Sequence, residues 1–468
     1  MSAPRHVHFV GIGGIGMSGI AELLVNLGYV VSGSDARTTD ITRRLASMGV
    51  RVHEGHDAAH VGEADVVVVT SAARQDNPEI VEARRRGVPV IARAEMLAEL
   101  MRLRRIGIAI GGAHGKTTTT SMVALMLERA GLDPTAVIGG RLSAFGSNAR
   151  LGQGDIIVAE ADESDGSFLK LSPVISVITN VDREHLDHYG TFERALDAFV
   201  EFANRVPFDG AVVVCADDPV LMGLLPRMTR TVVTYATDHD DATLVARDIE
   251  SGKGQASCTV WRRPARSDAG QAHECLGRLT IHVPGRHNLR NALAAVGVGL
   301  QLDVPFDRIA AGLAEFRGAE RRLQVVGERA GVLVVDDYGH HPTEIAAVVA
   351  ACREAWARRL VLLFQPHRYT RTAGLMDEFA DVLARADDVC LLPIYAASED
   401  PLPGVTSAAL AERISARSGR QVHLVDGLDA APEMVAALLR PGDLIVTLGA
   451  GSVGSLGPRV LAALEGRA

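Results

Sequence analysis

The stretch "IAIGGAHGKTTTTSMV", from Ile108 to Val123, joins an apolar run to a helical pattern through a glycine-rich loop. A buried strand, a loop containing Gly-Lys-Thr and a helix are the parts of a phosphate-binding loop, whose backbone amides surround phosphate oxygens. Lys116 would reach the outer phosphates, and Thr117 would bind Mg²⁺. Ile110 replaces the first glycine of the strict pattern, but the loop length and core are kept. The stretch predicts an α/β domain that binds ATP.

The whole chain has 468 residues, which is too long for a single domain with one hydrophobic core, so we expect two or three domains. Its net charge of -9 argues against a general binder of nucleic acid or of anionic membranes, which needs basic patches. The five cysteines are spaced too irregularly for a disulfide framework or a zinc site. No apolar run reaches the ~18 residues of a membrane span. The N-terminal stretch does not fit a signal peptide, because Glu22 interrupts its apolar segment and its glycines have the spacing of a phosphate-binding loop. We expect a cytoplasmic protein.

Residues 1–104 predict a Rossmann-like N-terminal domain. The stretch "HVHFVGIGGIGMSGIAELLVNLGYVVSGSD" is typical of a strand, a glycine turn, a helix and a second strand that ends at Asp35. Gly11, Gly13 and Gly16 fit the pattern G-x-G-x-x-G, which binds a diphosphate at a helix N-terminus. A turn that only packs a helix on a sheet, or an NAD site, would show the same glycines.

Residues 105–318 predict a central P-loop ATPase-type α/β domain. The stretch "GDIIVAEADESDGSFL" is a buried strand followed by Glu160, Asp162, Glu163 and Asp165, and "VISVITNVDREHLDHYG" brings His185 to the same sheet edge. Acidic residues beside a phosphate loop suit Mg²⁺, although at least half of these four would serve a solvated turn equally well. Short alternating strands over 244–283 predict a small antiparallel insertion.

Residues 319–468 predict a C-terminal Rossmann-like domain. Strands such as "GVLVVDDYG", "RLVLLFQPH" and "DLIVTLGAG" alternate with helical patterns, which is typical of an open parallel sheet. The fold class is therefore α/β with three domains.

The motifs of all three domains, taken in order, closely resemble those of the Mur ligase family of peptidoglycan synthesis. The motifs are "GIGGIGMSGIA", "GAHGKTTTT", "EADESDGSF", "NVDREHLDHY", "GRHNLRNALAA", "DDYGHHPTE" and "FQPHRYTRT". The family phosphorylates a carboxylate with ATP, and an amine attacks the acyl phosphate to give an amide, ADP and phosphate. The resemblance is to the branch whose acceptor is UDP-N-acetylmuramate and whose amine is L-alanine.

The resemblance implies a set of residues for each ligand. The UDP-sugar would contact Gly11, Gly13, Gly14, Ile15, Gly16, Asp35, Thr70 and Ser71. ATP would contact Gly112, Ala113, His114, Gly115, Lys116, Thr117, Thr118, His287, Asn291, Arg322 and Asp337. The amino acid would contact Tyr338, His340, Arg368 and Arg371. Two Mg²⁺ ions would be held by Thr117, Glu160 and His185, and the catalytic residues would be Lys116, Glu160, His185 and Arg368.

Two positions depart from the family. Ala113 stands where most members carry threonine, which keeps the backbone amide but removes a hydroxyl beside the phosphates. Many members also use a carbamoylated lysine as a Mg²⁺ ligand, and this chain has no lysine between Lys170 and Lys253. The alanine-adding branch is the one whose resemblance does not require that lysine.

Alternative functions remain open at this point. A recycling ligase of the same family would add a tripeptide to the same UDP-sugar, and pocket size cannot be read from sequence. A nucleotide-regulated switch that binds NAD and cycles ATP would leave His185 and Arg368 without a role. Tyr338 and His340 could instead serve domain packing, and for His341 and His367 a structural role is favoured. We expect a monomer or weak homodimer, with no nucleic acid partner and no membrane insertion.

Overall fold

The computed structural model describes residues 5–70, 73–142, 147–252, 254–263, 273–397 and 399–465. Three sheets of five, ten and six strands organise these residues, one in each predicted α/β domain. The predicted fold class is thus confirmed, whereas the domain boundaries at 104/105 and 318/319 stay predictions. No described helix is both long and apolar enough to span a membrane.

The first sheet is parallel, with the strand order β3-β2-β1-β4-β5. Its strands are β1 (His6–Val10), β2 (Val30–Asp35), β3 (Arg51–Glu54), β4 (Val66–Val69) and β5 (Val90–Ala92). The helices are α1 (Ile15–Asn26), α2 (Asp40–Ser47), α3 (Pro78–Arg85) and α4 (Arg93–Arg102). The chain builds outward from β1 to one side and then resumes on the other with β4. Ligands bind at such a switch point, beyond the carboxyl ends of the strands.

The central sheet has the order β15-β14-β13-β12-β11-β10-β6-β9-β7-β8. Its strands are β6 (Ile106–Gly111), β7 (Thr135–Leu142), β8 (Ser147–Arg150), β9 (Ile156–Glu160), β10 (Ile175–Ile178), β11 (Ala211–Cys215), β12 (Thr231–Ala236), β13 (Leu244–Gly252), β14 (Gln255–Arg262) and β15 (Glu274–Ile281). The helices are α5 (Lys116–Arg129), α6 (Leu186–Tyr189), α7 (Phe192–Asn204), α8 (Pro219–Leu224), α9 (Arg286–Gln301) and α10 (Phe306–Ala314). Strand β6 lies parallel to β9 and β10, so the loops after these three strands share one edge. Strands β13 to β15 extend the sheet where the sequence predicted a small insertion.

The third sheet has the order β16-β17-β21-β18-β19-β20, with β16 antiparallel to β17. Its strands are β16 (Gln324–Arg329), β17 (Val332–Asp337), β18 (Arg359–Phe364), β19 (Asp388–Leu391), β20 (His423–Leu424) and β21 (Asp443–Leu448). The helices are α11 (Pro342–Ala355), α12 (Tyr369–Gly374), α13 (Met376–Leu383), α14 (Ser407–Ser418), α15 (Ala431–Leu438) and α16 (Leu456–Glu465). Apolar clusters cover both faces of the sheet, which explains why its strands read as continuous hydrophobic runs.

The described residues fall into two compact units. The first comprises those of Met1–Asp248, Cys258–Leu279 and Arg290–Phe316, and the second comprises those of Ile249–Ser257, Thr280–Leu289 and Arg317–Ala468. The first unit therefore holds the first predicted domain and most of the second, whereas the described residues of 249–257 and 280–289 belong to the second unit. Helix α1 packs against β7 and β8 of the central sheet, a contact that no local sequence pattern announces.

Candidate functional site

The glycine loop after β6 has a backbone that only glycine accommodates at two positions. Gly115 adopts φ of +83° and precedes helix α5, where a side chain would be strained. Gly112 also has positive φ, and a methyl group there would lie 2.1 Å from Thr179 Oγ1. The loop is therefore wrapped tightly around the start of α5, as a phosphate-binding loop requires.

Residues that follow β10 hold this loop in place. The Asn180 side chain accepts a hydrogen bond from the His114 amide at 2.8 Å and donates one to the His114 carbonyl at 2.9 Å. Thr179 Oγ1 donates to the same carbonyl at 2.6 Å, and His114 Nε2 lies 2.9 Å from Asp182 Oδ2. The Ala113 amide donates to the Asn180 carbonyl at 3.1 Å, so it helps to fix the loop. The sequence analysis did not predict these contacts.

Lys116 is the first residue of α5, and its Nζ is directed back over the loop. It donates to the Gly112 carbonyl at 2.7 Å, to the Ala113 carbonyl at 3.1 Å and to Glu163 Oε1 at 2.9 Å. Burial disfavours the charge, but the neighbouring carboxylates, Glu163 above all, outweigh burial and raise the pKa of Lys116. The lysine is thus a fixed cation. Thr118, also predicted, is buried in the first turn of α5.

Thr117 and Glu160 meet beside the loop, as predicted. Thr117 Oγ1 donates to Glu160 Oε2 at 2.9 Å, and the Gly139 amide donates to the same oxygen at 2.9 Å. A hydroxyl and a carboxylate are hard oxygen donors, the kind that Mg²⁺ prefers, so these residues fit that ion.

His185 lies at the same sheet edge. The carboxylates beside it are those of Glu163 and Glu184, and not that of Glu160, the acid named with it as a Mg²⁺ ligand from the sequence. Its Nε2 is 3.6 Å from Glu163 Oε1 and 3.6 Å from Glu184 Oε2. Burial lowers the pKa of His185, but these two acids outweigh burial and raise it. His185 immediately precedes α6 and has a left-handed backbone conformation, with φ of 57°.

The first glycine loop lies at the switch point of the first sheet. The amides of Gly11 and Ile12 both donate to the Ser34 carbonyl at 2.9 Å, and the Gly13 amide donates to Asp35 Oδ2 at 2.9 Å. Gly14 precedes α1 without a capping side chain, which leaves the N-terminus of the helix open to an anion. Ile15 begins α1 and is 48% exposed.

Two neighbours of this loop come from distant elements. Thr70 follows β4, and its Cγ2 would lie 3.1 Å from a methyl group at Gly11. Arg93, at the start of α4, would contact a methyl group at Gly16 at 3.2 Å and lies 3.6 Å from Asp162 Oδ2. Arg93 was not predicted, because no motif marks it. Ser71 lies outside the described residues.

Asn291 lies against the ATP loop, since a methyl group at Gly115 would be 2.7 Å from Asn291 Oδ1. His287 occurs one turn earlier in α9, and its ring would contact a methyl group at Gly285 at 2.8 Å. The predicted pair thus occupies the first two turns of one helix.

Four predicted side chains of the second unit gather after β17 and β18. The Tyr338 and His340 rings are 5.4 Å apart, and His340 is 5.7 Å from the His367 ring. Arg371 Nη1 lies 3.4 Å from His367 Nδ1, and Arg368 immediately precedes α12 with φ of 69°. Burial lowers the pKa of His340 to about 3 and that of His367 to about 4, with help from Arg371 in both cases. This cluster therefore pairs neutral imidazoles with arginines, which suits a carboxylate ligand.

Arg322 and Asp337 occupy the base of this region. The guanidinium of Arg322 lies 5.3 Å from the Tyr338 ring centroid and its Nη1 is 3.5 Å from Glu344 Oε1. Both oxygens of Asp337 accept backbone amides, from Leu323 and Gly339, at 2.7 Å. Burial raises the pKa of Asp337 to about 6, against the charge of Arg322. As placed, Asp337 supports the turn after β17. His341 caps α11, in keeping with its expected structural role.

Comparisons with known proteins agree with this arrangement. Residues 6–105 match the model of the Mur ligase family, catalytic domain, residues 110–299 the Mur ligase middle domain, and residues 321–451 the Mur ligase, glutamate ligase domain. The chain is 54% identical to a UDP-N-acetylmuramate--L-alanine ligase of Anaeromyxobacter sp. (strain Fw109-5) over 99% of both chains. It is 53% identical to that of Solibacter usitatus (strain Ellin6076), over 99% of this chain and 96% of the relative.

Solved structures give the same result. The UDP-N-acetylmuramate-alanine ligase of Thermotoga maritima has a TM-score of 0.81 at 28% identity, over 99% of this chain and 100% of the other. A murein peptide ligase of Psychrobacter arcticus has a TM-score of 0.71 at 26% identity, over 98% of both chains. The chain belongs to the Mur ligase family.

Proposed function

We propose that this protein is an ATP-dependent ligase that joins L-alanine to the lactyl carboxylate of UDP-N-acetylmuramate, with an acyl phosphate as intermediate and ADP and phosphate as products. The reaction supplies peptidoglycan precursors. The observation that carries the proposal is that the chain has two separate glycine loops. One surrounds Lys116, which pairs with Glu163, and the other leads into the N-terminus of α1, which no side chain caps and which suits the diphosphate of a second nucleotide. Full-length relatives with this activity support the same substrates.

The central site prepares the acceptor carboxylate for attack on ATP. Lys116 is held as a buried cation and would stabilise charge on the transferring phosphoryl group. Thr117 and Glu160 would hold one Mg²⁺ and His185 a second. When bound, Mg²⁺ offsets negative charge on the phosphate and carboxylate oxygens, which otherwise repel each other.

The other two domains, together with helix α9 of the central domain, provide the remaining ligand contacts. The amides around Gly14, together with Asp35 and Thr70, would bind the UDP diphosphate and its neighbouring groups. Asn291 and His287 would contact adenine, and Arg322 and Asp337 would act as phosphate and ribose contacts. Tyr338, His340, Arg368 and Arg371 would bind L-alanine, with a guanidinium matched to its carboxylate. We place the enzyme in the cytoplasm as a monomer or weak homodimer.

Phosphate release from ATP and Mg²⁺ with UDP-N-acetylmuramate tests the proposal, in parallel reactions with L-alanine, with the tripeptide and with neither. We expect release that depends on alanine, and a product whose mass is that of the amide. The likeness to a murein peptide ligase makes the tripeptide the specific alternative, and release with tripeptide alone would favour it. Release without any amine would favour a nucleotide switch.

A further inference from the structure

The side chains around His185 form a cluster that the predicted metal ligands do not account for. One ligand atom from each of Glu163, Glu184 and His185 lies within 4.8 Å of the others. Glu163 is buried at 3% exposure, and its Oε1 is 3.6 Å from His185 Nε2. Two carboxylates with one imidazole suit a divalent cation such as Mg²⁺ or Mn²⁺.

Glu163 differs from the other acidic residues of its loop in what it faces. Glu160 is bound by Thr117 and the Gly139 amide, and Asp165 accepts the Ser167 amide at 3.0 Å. Asp162 accepts the Ser164 amide at 3.1 Å and lies near Arg93. Glu163 is the member of this group that lies between the phosphate-loop lysine and His185.

Glu163 pairs with Lys116, whose Nζ lies 2.8 Å from Oε2. The phosphates of ATP compete for that lysine, because they carry more negative charge and lie where its ammonium already faces the loop. A buried carboxylate that loses its cation must gain another, since an uncompensated buried charge is strongly unfavourable. The neighbouring groups that can hold a divalent cation beside Glu163 are His185 and Glu184, whose ligand atoms lie within 4.8 Å of that of Glu163.

We propose that Glu163 is a ligand, with His185, of the second Mg²⁺ ion, and that it exchanges Lys116 for this ion when ATP binds. The inference rests on the proposed function, because it assumes that ATP and Mg²⁺ occupy this loop. The backbone of Glu163 is tied to the same segment as His185: Tyr189 Oη, in the helix α6 that His185 immediately precedes, donates to the Glu163 carbonyl at 2.5 Å.

The test is Mn²⁺ binding to the full chain with a non-hydrolysable ATP analogue, in which electron paramagnetic resonance counts free Mn²⁺. The variant is Glu163→Gln, which keeps size and removes charge. We expect two bound ions in the unaltered chain, and at least a thirtyfold weaker second ion in the variant. The matched control is Asp217→Asn, which removes a carboxylate that is equally buried and paired with a cation, Arg290 at 2.9 Å. Its Mn²⁺ binding should be unchanged.

Two ions bound with unchanged affinity in Glu163→Gln would overturn the proposal and leave Glu163 as a partner of Lys116 only. A single ion in the unaltered chain would overturn it as well. If Glu163→Gln does not fold, as judged by circular dichroism, Glu163→Asp replaces it, and the second ion should again bind more weakly because the carboxylate is withdrawn by one methylene. Alanine-dependent phosphate release by the unaltered chain tests the proposed function separately. If the unaltered chain releases phosphate in response to alanine but the Glu163 variants bind both Mn²⁺ ions normally, the proposed function stands and only the role of Glu163 is overturned.

Discussion

The two glycine loops share a backbone plan and differ in their side chains. Each follows the first strand of its sheet, turns through a glycine of positive φ and leads into a helix. The first turn of α1 carries no charged residue, and its loop is held by Ser34 and Asp35. The loop before α5 carries Lys116, with carboxylates around it. One loop is thus built to bind a diphosphate, and the other to move a phosphoryl group.

The largest expected effect comes from removing the cation of the second loop. Lys116→Met should lower the rate of alanine-dependent phosphate release by about a thousandfold or more, because charge on the phosphoryl group is then unopposed. KM for UDP-N-acetylmuramate should stay within about twofold, since the first loop is untouched. Steady-state phosphate release with each substrate varied measures both values.

Lys116→Arg provides the matched variant for this prediction. A planar guanidinium cannot occupy the space between the Gly112 carbonyl and Glu163 as an ammonium does, so it should restore little activity. Near-complete activity in the arginine variant would contradict a site shaped around the ammonium.

The second effect concerns the first loop. A methyl group at Gly13 would lie 2.8 Å from Asp35 Oδ2, so Gly13→Ala should displace the carboxylate that holds the loop. Such overpacking costs about 1–3 kcal/mol, so KM for UDP-N-acetylmuramate should rise about tenfold or more. The turnover number and KM for ATP should change little.

Gly14→Ala is the matched control in the same loop. A methyl group there meets no atom closer than 3.5 Å, and the backbone φ of -63° accepts any residue. Because Gly14 itself lies in the proposed diphosphate site but its added methyl group leaves Asp35 in place, we expect a smaller rise in KM for UDP-N-acetylmuramate than Gly13→Ala gives. Equal effects of the two substitutions would show that the Gly13 contact with Asp35 does not control binding.

A smaller effect is expected from removing the charge of Arg93, the first residue of α4, which lies beside Gly16 of the first loop. Arg93→Met should raise KM for UDP-N-acetylmuramate about fivefold, because a partly exposed charge beside the diphosphate contributes modestly. The increase should diminish at high salt. Arg102→Met, at the far end of α4 where the arginine pairs with Glu99, is the control and should leave KM unchanged.

The loops themselves were predictable, whereas several of their neighbours were not. Strand, glycine turn and helix are local patterns, so spacing identified Gly11, Gly13 and Gly16 of the first loop and the Gly-Lys-Thr core of the second, while the family resemblance supplied the other loop residues. The contact between Thr117 and Glu160 followed from parallel strands that end at one edge. Arg93 reaches Gly16 through tertiary packing across 77 positions, which no motif records. The sequence placed His185 at this sheet edge but did not predict its contact with Glu163, because side-chain direction in the loop after β9 is not encoded in periodicity.

The smallest effect on catalysis is expected from Glu79, a buried carboxylate that contacts Ser34 beside the first loop. Glu79 is fully buried under the first loop, where Ser34 Oγ donates to it at 2.6 Å and His60 Nδ1 lies 3.0 Å away. His8 and His56 each lie 3.6 Å from the same carboxylate. Burial opposes its ionisation, but the surrounding His8, Ser34 and His60 outweigh burial and lower the pKa of Glu79 to about 2. This carboxylate therefore supports Ser34, whose carbonyl holds the loop.

Glu79→Gln should lower the free energy of unfolding by about 1–3 kcal/mol at pH 7, while turnover changes little. Because the folded pKa lies below the ordinary value of 4.5, ionised Glu79 stabilises the protein above pH 4.5, and this contribution is lost as pH falls from 4.5 towards 2. Urea unfolding at several pH values should thus show a difference between the variant and the unaltered chain that shrinks over that interval. Glu82→Gln, one turn along α3, should show a much smaller trend, because Arg85 lowers the pKa of Glu82 but this pair lies nearer the surface, where solvent screens it. A constant difference for Glu79→Gln across the interval would mean that shape, and not charge, is what the first loop requires beneath it.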